Sequence, residues 1–428
     1  MMNKRQDEIQ AIIRRGLKRR YRAERRFRYA GVLSIALALG ALFSLFVQIT
    51  AEGSGVLRQS YIVLDIHYQD RILGISDPTD QNQLAIADFG ALVKDALKKR
   101  FPEVKGRRNL RELYALVSIG ATFELRDKLV SQPELMGTQQ RYWLLADDDV
   151  DIYFKEGPDQ AGSRSRLNDS QKNWVDELAR QGEIRKQFNR VFFSSGDSAE
   201  AELAGIWGAL VGSLLTLLVT VALSLPIGIA AAIYLEEYAP QNRYTDFLEV
   251  NINNLAAVPP VIFGLLGLAI FINALGMPRS VPLVGGLVLT LMTLPTIIIS
   301  SRAAIVSVPG DVREAALGMG ASKMQVILHH ILPLALPGML TGAIIGIAQA
   351  LGETAPLLMI GMVAFIADIP GSVSDPATVL PVQIFLWADS PERAFVERTS
   401  AAIFVLLSFL ILLNGFAAWL RRRLERKQ

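Results

Sequence analysis

The 428-residue sequence predicts an all-α polytopic membrane protein of about six transmembrane helices, with an α/β globular insertion after the first helix. Three observations predict this class. Hydrophobic residues make up 51% of the chain, whereas charged residues make up only 20%. The hydrophobic residues lie in long runs that lack the polar face of a helix in a soluble protein. Residues 51–198, in contrast, contain no such run and have a mixed, polar composition.

The first element is a basic tail followed by an apolar run at residues 30–50. The first 30 residues contain eleven basic side chains and three acidic ones. As a helix the apolar run is about 31 Å long, which matches the hydrocarbon core of a bilayer. A cleavable signal peptide is the alternative, but the charged flank is too long and no small-x-small cleavage site follows. We therefore expect residues 1–50 to form a cytoplasmic tail and an uncleaved anchor.

Basic residues also follow the last apolar run, at residues 421–427. A basic run alone could bind nucleic acid. Because both basic runs adjoin apolar segments, the positive-inside bias explains them better, and we expect no nucleic-acid partner. The same charge favours contact with anionic membrane lipid. Both termini are therefore expected in the cytoplasm.

The insertion, residues 51–198, is expected to be a globular domain on the periplasmic side. It contains no cysteine, so its stability has to come from ordinary packing. Its composition and periodicity predict two strands and three helices. The strands are predicted at residues 60–68 and 143–154, and the helices at residues 89–101, 107–129 and 171–193.

Residues 199–428 are expected to form a core of five further membrane helices. The apolar runs lie approximately at residues 203–235, 252–275, 284–300, 334–365 and 399–420. Six spans return the C-terminus to the side of the N-terminus, as the two basic runs require. The loop at 236–249 is an exception to the positive-inside bias, since it is more acidic than basic.

Prolines interrupt several of these runs. They are Pro226, the Pro259–Pro260 pair, Pro295 and Pro356. Each removes a backbone donor inside an apolar segment, and lipid cannot satisfy the freed carbonyl. We expect the resulting kinks to face protein or a water-lined path, although simple bending of the helix is the alternative.

Residues 308–338, between the fourth and fifth runs, carry the most informative pattern. Pro309 suits a first helical turn, and Asp311 favours a helix N-terminus. Gly320 can end that helix, and Ser322 can cap the next one. The sequence therefore predicts two short helices with a bend between them at the membrane surface.

This pattern resembles the EAA loop of ABC-importer permeases, written E-A-A-x3-G-x9-I-x-L-P. The matching residues are Glu314, Ala315, Ala316, Gly320, Leu332 and Pro333. His330 stands where isoleucine is usual. The resemblance implies a helix that seats in a cleft of a cytoplasmic ATPase and transmits its closure to the spans. An ordinary pair of interfacial helices is the alternative.

The chain itself is expected to be a transport subunit and not an enzyme. Residues 318–323 contain two glycines, a lysine and a serine, but without the spacing of a phosphate-binding loop. ATP hydrolysis is therefore expected in a separate subunit.

The fifth run carries an ionisable residue, Glu353, in the segment Gly-Glu-Thr-Ala-Pro-Leu-Leu. Ionisable residues at membrane depth usually face a pathway or a partner. Gly352 permits close backbone approach, Thr354 adds a hydroxyl, and Pro356 breaks the helix. A structural hydrogen bond between helices is the alternative role for Glu353.

That segment, with those at 235–240 and 251–265, resembles the PstA family of phosphate-specific ABC permeases over residues 204–420. The resemblance implies an ABC-importer permease fold in the inner membrane and a translocation path shared with a PstC-like sister permease. It also implies two copies of a PstB-like ATPase, a periplasmic phosphate-binding protein, and phosphate as cargo. Relatives often have arginine at the position of Gln349. The sister subunit or Arg302 is therefore expected to supply the positive charge.

No metal or cofactor is predicted. His67, His329 and His330 are the only histidines and lack metal-ligand spacing with carboxylates. The acidic run at 147–151 lacks the glycine and the distal glutamate of an EF-hand, so we expect a solvated acidic turn.

Two other functions stay open. One is a permease for another oxyanion, such as sulfate or molybdate. The other is a membrane-anchored signalling or scaffolding protein that acts through the insertion, for which the loop at 308–338 would be dispensable. Nothing in the sequence shows whether the insertion docks the binding protein, stabilises the sister subunit or senses a signal.

Overall fold

The computed structural model describes residues 2–75, 79–157 and 166–425. The chain divides into two compact units, Met1–Glu52 and Gly53–Gln428. The first unit is formed by helix α1 (Met2–Gly53), which contains the predicted anchor. The end of the predicted basic tail, residues 426–428, lies outside the described residues.

The second unit begins with an α/β region whose sheet has three antiparallel strands. These are β1 (Arg58–His67), β2 (Gln139–Leu145) and β3 (Ile184–Phe188), in the order β2-β1-β3. Tyr61 pairs with Leu145, and Ile62 pairs with Ile184. Six of the ten residues of the central strand are buried, including three in succession, Ile62, Val63 and Leu64, so most of both faces of this strand is covered.

Eight helices of this region lie between and after the strands. They are α2 (Asp70–Leu73), α3 (Gln81–Ile86), α4 (Phe89–Arg100), α5 (Arg107–Tyr114), α6 (Gly120–Ser131), α7 (Asp148–Glu156), α8 (Asp169–Arg180) and α9 (Arg190–Ser194). Short polar side chains cap several of them. Asp88 accepts from the N–H of Ala91, and Asn168 forms a reciprocal capping box with Gln171.

Three predictions for this region are corrected. The strand predicted at 143–154 ends at Leu145, because Asp147 caps a helix immediately afterwards. The helix predicted at 107–129 is two helices, broken between Tyr114 and Gly120. The helix predicted at 171–193 ends at Arg180, and a turn through Gly182 (φ 69°) leads into β3. The predicted α/β class of the insertion is confirmed.

The rest of the second unit is helical. Its helices are α10 (Trp207–Ile233), α11 (Arg243–Ala256), α12 (Pro260–Gly267), α13 (Pro282–Val306), α14 (Gly310–Gly318), α15 (Lys323–Val326), α16 (Leu332–Gly352), α17 (Ala355–Met359), α18 (Leu380–Ala388) and α19 (Ala394–Glu425). Three π-helical segments extend or join them, namely Tyr234–Tyr238, Leu268–Ala274 and Ile327–Ile331.

Among the described residues, five helices are long and apolar enough to cross a membrane, or six if a bent pair counts as one span. The five are Arg20–Leu57, Trp207–Tyr238, Pro282–Val306, Lys323–Gly352 and Ala394–Arg423. The bent pair is Arg243–Ala256 with Pro260–Ala274, at 103° to each other. The predicted class of polytopic all-α membrane protein is confirmed.

Two predicted spans differ from the observed helices. The span predicted at 252–275 is broken, because Pro259 has an extended backbone and a new helix begins at Pro260. The span predicted at 334–365 begins earlier, at Lys323, and ends at Gly352. Helix α18 follows the break and was not predicted, since its nine residues, all apolar except Gln383, are too few to suggest a span.

The prolines lie in different surroundings. Pro295 and Pro356 are buried, as expected for kinks that face protein, whereas Pro226 is exposed on this chain. The predicted boundary between the insertion and the helical core, at residue 198, stays a prediction.

Candidate functional site

The loop that carries the EAA pattern is a bent helical pair. Helix α14 begins at Gly310, one residue later than predicted, because Pro309 is its N-cap with an extended ψ of 137°. Gly320 has a φ of 86°, in the left-handed region that glycine tolerates best. Ser322 and Gln325 then form a capping box at the start of α15.

The second helix of this pair is not short, which corrects the prediction. Helix α15 continues through the π-helical segment into α16, so that Lys323–Gly352 is one helical stretch of 30 residues. At 1.5 Å per residue it extends about 45 Å. The bend at Gly320 is therefore joined directly to the helix that ends at Gly352, next to Glu353.

Residues of the EAA pattern divide into a buried and an exposed set. Ala316 is buried in an apolar cluster that includes Val326 and Ile331, so its small side chain serves packing within the chain. Glu314 and Ala315 are exposed. Beyond them, Leu317 is 52% exposed and Met319 79% exposed. We call these last four residues, Glu314, Ala315, Leu317 and Met319, the loop surface.

An arginine next to the pattern anchors the loop. The guanidinium of Arg313 donates to the Glu237 carboxylate at 2.9 and 3.1 Å. It also donates to the carbonyl oxygens of Ile305 at 3.0 Å and Val308 at 2.8 Å, at the end of α13. Sequence reasoning did not single out Arg313, because its partners are remote in sequence or backbone atoms.

Arg302, predicted as a possible cation for the anion path, lies between two carboxylates. Its guanidinium is 2.8 Å from Glu249 Oε1 and 3.4 Å from Glu236 Oε2. The acidic loop at 236–249 is thereby explained, since its acids pair with Arg302 and Arg313. The structure brings Arg302 together with these acids and not with Glu353.

The other predicted residues lie around the end of α16. Glu353 follows the last helical residue with an extended ψ of 117°, and its N–H donates to the carbonyl of Ala350 at 3.2 Å. In the described parts of the chain no group donates a hydrogen bond to its half-buried carboxylate. Gln349 and Gly352 are exposed nearby, whereas Thr354 is half-buried.

The close backbone approach expected at Gly352 is found elsewhere. A Cβ added to Gly352 would meet no described atom within 4 Å. A Cβ on Gly264 of α12 would lie 2.6 Å from the Cα of Pro356, which packs α12 tightly against α17. Sequence reasoning missed Gly264, although a glycine inside an apolar run is a signal of close packing.

The acidic run before α7 is not the solvated turn that was predicted. Asp147 accepts a hydrogen bond from the N–H of Asp149 and caps the helix. Burial, together with the neighbouring carboxylates of Asp148 and Glu202, raises the pKa of Asp147 to about 8. Carboxylate oxygens of the three consecutive aspartates lie within 4.8 Å of one another.

Of the histidines, His67 Nδ1 is 2.9 Å from Gln69 Nε2, and His329 Nδ1 is 3.2 Å from the carbonyl of Gln325.

Membrane-length helices joined by a bent helical loop, with an ionisable residue at a helix break, define a multi-span membrane protein. Residues 224–426 match the model of a family described as binding-protein-dependent transport system inner membrane component. Residues 14–163 match a domain of unknown function, DUF3333. The chain belongs to the binding-protein-dependent transport system inner membrane component family, and it carries DUF3333 as an N-terminal extension.

Relatives of known name support the same family. The chain is 29% identical to the probable ABC transporter permease protein YqgI of Bacillus subtilis, over 56% of this chain and 86% of that protein. It is 32% identical to the phosphate transport system permease protein PstA of Mycobacterium leprae, over 53% of this chain and 73% of that protein. A solved structure of the MetNI methionine ABC transporter is similar over 51% of this chain and 94% of its own, at 19% identity and a TM-score of 0.41.

The resemblance to PstA permeases that the sequence predicts is therefore confirmed, together with the N-terminal extension. The chain is a multi-pass inner-membrane permease of the ABC importer class. The roles predicted for individual residues of the loop and of the helix break stay predictions.

Proposed function

We propose that this protein is a transmembrane subunit of an ATP-driven phosphate importer. It would form the translocation path with a sister permease, while two copies of a separate ATPase and a periplasmic phosphate-binding protein complete the complex. Similarity to PstA proteins of several bacteria supports phosphate as the cargo. The carboxylate of Glu353, without a hydrogen-bond partner in the described chain at the end of a membrane helix, is the observation on which the proposal depends.

An anion at membrane depth requires hydrogen-bond donors and compensating positive charge. A carboxylate has the wrong sign for direct charge compensation. Glu353 can instead accept a hydrogen bond from a hydroxyl of protonated phosphate, or pair with a cation of the sister permease. Because Arg302 is already paired with two carboxylates, we assign the compensating cation to the sister permease.

Coupling to the ATPase is proposed through the loop surface. Apolar Leu317 and Met319 would be covered by the ATPase, and the Glu314 carboxylate would meet a basic residue there. Since one helical stretch joins the loop to the residue before Glu353, movement of the loop displaces the helix break directly. This arrangement requires cytoplasmic termini and a periplasmic insertion.

Uptake of labelled phosphate by the complete complex in proteoliposomes tests the cargo. We expect unlabelled phosphate to compete with uptake and sulfate and molybdate not to compete. Competition by sulfate or molybdate at equal concentration would instead favour another oxyanion as cargo. Deletion of residues 314–320 tests the signalling alternative. If the protein's activity is independent of ATP and is unchanged by this deletion, a signalling or scaffolding role is favoured.

The substitution Glu353→Gln tests the path. Loss of one charge-assisted hydrogen bond costs about 1.5–3 kcal/mol, so we expect uptake to fall about tenfold or more. The amount of assembled complex should not change. Glu200→Gln, at an exposed glutamate just after the insertion, is the matched control and should leave uptake unchanged. Normal uptake by the Glu353→Gln complex would remove Glu353 from the path.

A further inference from the structure

A buried ionic cluster lies where the insertion meets the start of α19. The ammonium of Lys155, at the end of α7, is 2.6 Å from Asp151 Oδ2 and 3.3 Å from Glu397 Oε2. These side chains are only 11%, 10% and 20% exposed, respectively. Lys155 therefore joins a residue of the insertion to a residue of the last membrane helix, away from bulk water.

Further hydrogen bonds tie this cluster to other elements. The N–H of Ser60, in β1, donates to Asp151 Oδ1 at 2.8 Å. Arg398, next to Glu397, is buried and donates to the carbonyl of Ala204 at 3.4 Å. Two cations thus lie with the two carboxylates in this buried region. We call Asp151, Lys155, Glu397 and Arg398 the joint.

An apolar core surrounds the joint and is shared by the same two regions. Val56, Ile152 and Phe192 of the insertion belong to one buried cluster with residues of α18 and α19. Trp387 of α18 is part of that cluster, and its indole N–H donates to Asp197 Oδ1 at 2.9 Å. The insertion is thus packed onto the helical core over a continuous interface, which differs from a domain held by a flexible linker.

Buried ion pairs seldom add stability over apolar side chains of the same size, because removing both charges from water is costly. Separating the partners of such a pair is strongly destabilising, since it leaves a buried charge uncompensated, and the pair therefore opposes displacement of the elements that it joins. An apolar interface alone would tolerate sliding. The ionic cluster therefore fixes the position of the insertion on α19.

We propose that the joint holds the insertion and the outer end of α19 together as one rigid body throughout the transport cycle. Lys155 and Glu397 are then positioning residues, which set the place of α19 without touching the cargo. The expected effect on uptake rests on the proposed transport function, whereas the rigidity of the joint does not.

A close contact beside the joint allows a direct test. A Cβ added to Gly55 would lie 2.7 Å from Glu397 Oε2 and 2.8 Å from Glu397 Cδ. Since Cβ of residue 397 is two bonds from Cδ, the Cβ atoms of cysteines introduced at 55 and 397 would be at most about 5.3 Å apart, so a disulfide, which needs about 3.5–4.5 Å, requires a shift of about 1 Å or less. Because the natural chain contains no cysteine, these would be its only thiols.

The experiment uses the full chain with Gly55→Cys and Glu397→Cys, in its complex in proteoliposomes, before and after reduction. Hydrogen exchange of the backbone amides at 394–402 and phosphate uptake are measured on the same preparation. When reduced, the variant has lost the Glu397 carboxylate, and we expect exchange to become at least about tenfold faster and uptake to fall about fivefold. When oxidised, the disulfide replaces the ion pair, and both quantities should return to within about twofold of the natural protein. Each single-cysteine variant controls for effects of the reductant.

Lys155→Met is a second variant that needs no disulfide, and it should lose uptake because it removes the ammonium. Lys155→Arg keeps the positive charge and should keep uptake. Where the thiols form no disulfide, hydrogen exchange at 394–402 in Lys155→Met decides, and a rate equal to that of the natural protein would overturn the proposal. Where the disulfide forms, two results would overturn it: exchange that is the same in both redox states, or uptake that is lost on oxidation. The last result would mean that the joint has to open during transport. If the natural complex carries no phosphate, the proposed cargo is wrong, and the exchange measurement alone still decides whether the joint is rigid.

Discussion

The joint and the loop surface differ in how completely the chain satisfies its own groups. At the joint, Lys155 and Glu397 are paired inside the chain and surrounded by a shared apolar core. At the loop surface, Leu317 and Met319 leave their apolar side chains in contact with solvent. Clustered exposed apolar groups next to a rigid helix usually mark a binding site for another protein. The joint is thus complete in one chain, and we expect the loop surface, in contrast, to require a partner.

Charges are distributed to match this difference. The basic residues beside the loop, Arg302 and Arg313, are neutralised by acids of residues 236–249. Glu314 is left as an exposed acid of the loop surface. Association with the ATPase should therefore depend mainly on burial of apolar area, with Glu314 selecting the orientation.

The largest effect is expected for Leu317→Asp, which places a charge on the loop surface. Loss of a buried leucine contact costs about 1.5–3 kcal/mol, and burying an unpaired carboxylate adds to that cost. We expect the amount of ATPase that copurifies with the permease to fall more than about tenfold. Copurification at fixed detergent and salt is the measurement.

Ile86→Asp provides the matched control, because Ile86 is an equally apolar and even more exposed residue of the insertion. It should leave the copurified ATPase unchanged. Thermal unfolding of the isolated permease should be the same for both variants, since neither side chain is buried within the chain. Unchanged ATPase recovery with Leu317→Asp would show that the loop surface does not bind the ATPase.

An intermediate effect is expected at Asp147, which caps the helix that carries Asp151 and Lys155. Its pKa is about 8 in the folded protein, compared with 3.8 for an ordinary aspartate. Between these pH values the folded chain binds a proton that the unfolded chain does not, so the free energy of unfolding decreases as pH rises. Asp147→Asn keeps the capping oxygen and removes the titration. We expect the variant to unfold several degrees higher than the natural protein at pH 8.5, and this difference to shrink steadily as the pH is lowered toward 5.

Thermal unfolding in detergent between pH 5 and 9 measures this difference. Asp127→Asn, at an exposed aspartate of the same region, should shift the midpoint by less than about 1 °C across the range. A lower midpoint for Asp147→Asn at pH 8.5 would show that the charged carboxylate stabilises the helix start, contrary to the buried environment described here.

The comparison also shows which features the sequence could predict. The loop was predictable because its signals are local: Ser322 caps a helix, Gly320 turns the chain, and both act within a few residues. The joint was not predictable, since Lys155 and Glu397 are 242 residues apart and neither stands in a recognisable pattern. The strand β3 was missed for a related reason. Its residues are mostly polar and form a strand only because β1 supplies hydrogen bonds along one edge.

The Glu353 region lies between these two cases. A break near Pro356 follows from the missing backbone donor, and it occurs three residues earlier than the proline itself. The packing of α12 against this break could not be predicted. It depends on Gly264, which is more than 90 residues before Pro356 in the sequence.

The smallest effect is expected when two neighbouring glycines of the loop are each replaced by alanine. This pair tests whether the bend at Gly320 sets the geometry of the loop surface. Gly320 has a left-handed φ of 86°, whereas Gly318 is the last residue of α14, and an added Cβ would meet no described atom within 4 Å at either position. Steric contact is thus matched, and only the backbone conformation differs. Gly320→Ala should destabilise the bend by about 1 kcal/mol, while Gly318→Ala should be neutral or slightly stabilising. Thermal unfolding and ATPase recovery should both decrease modestly for the first variant only. Equal behaviour of the two alanine variants would mean that the bend at Gly320 does not set the geometry of the loop surface.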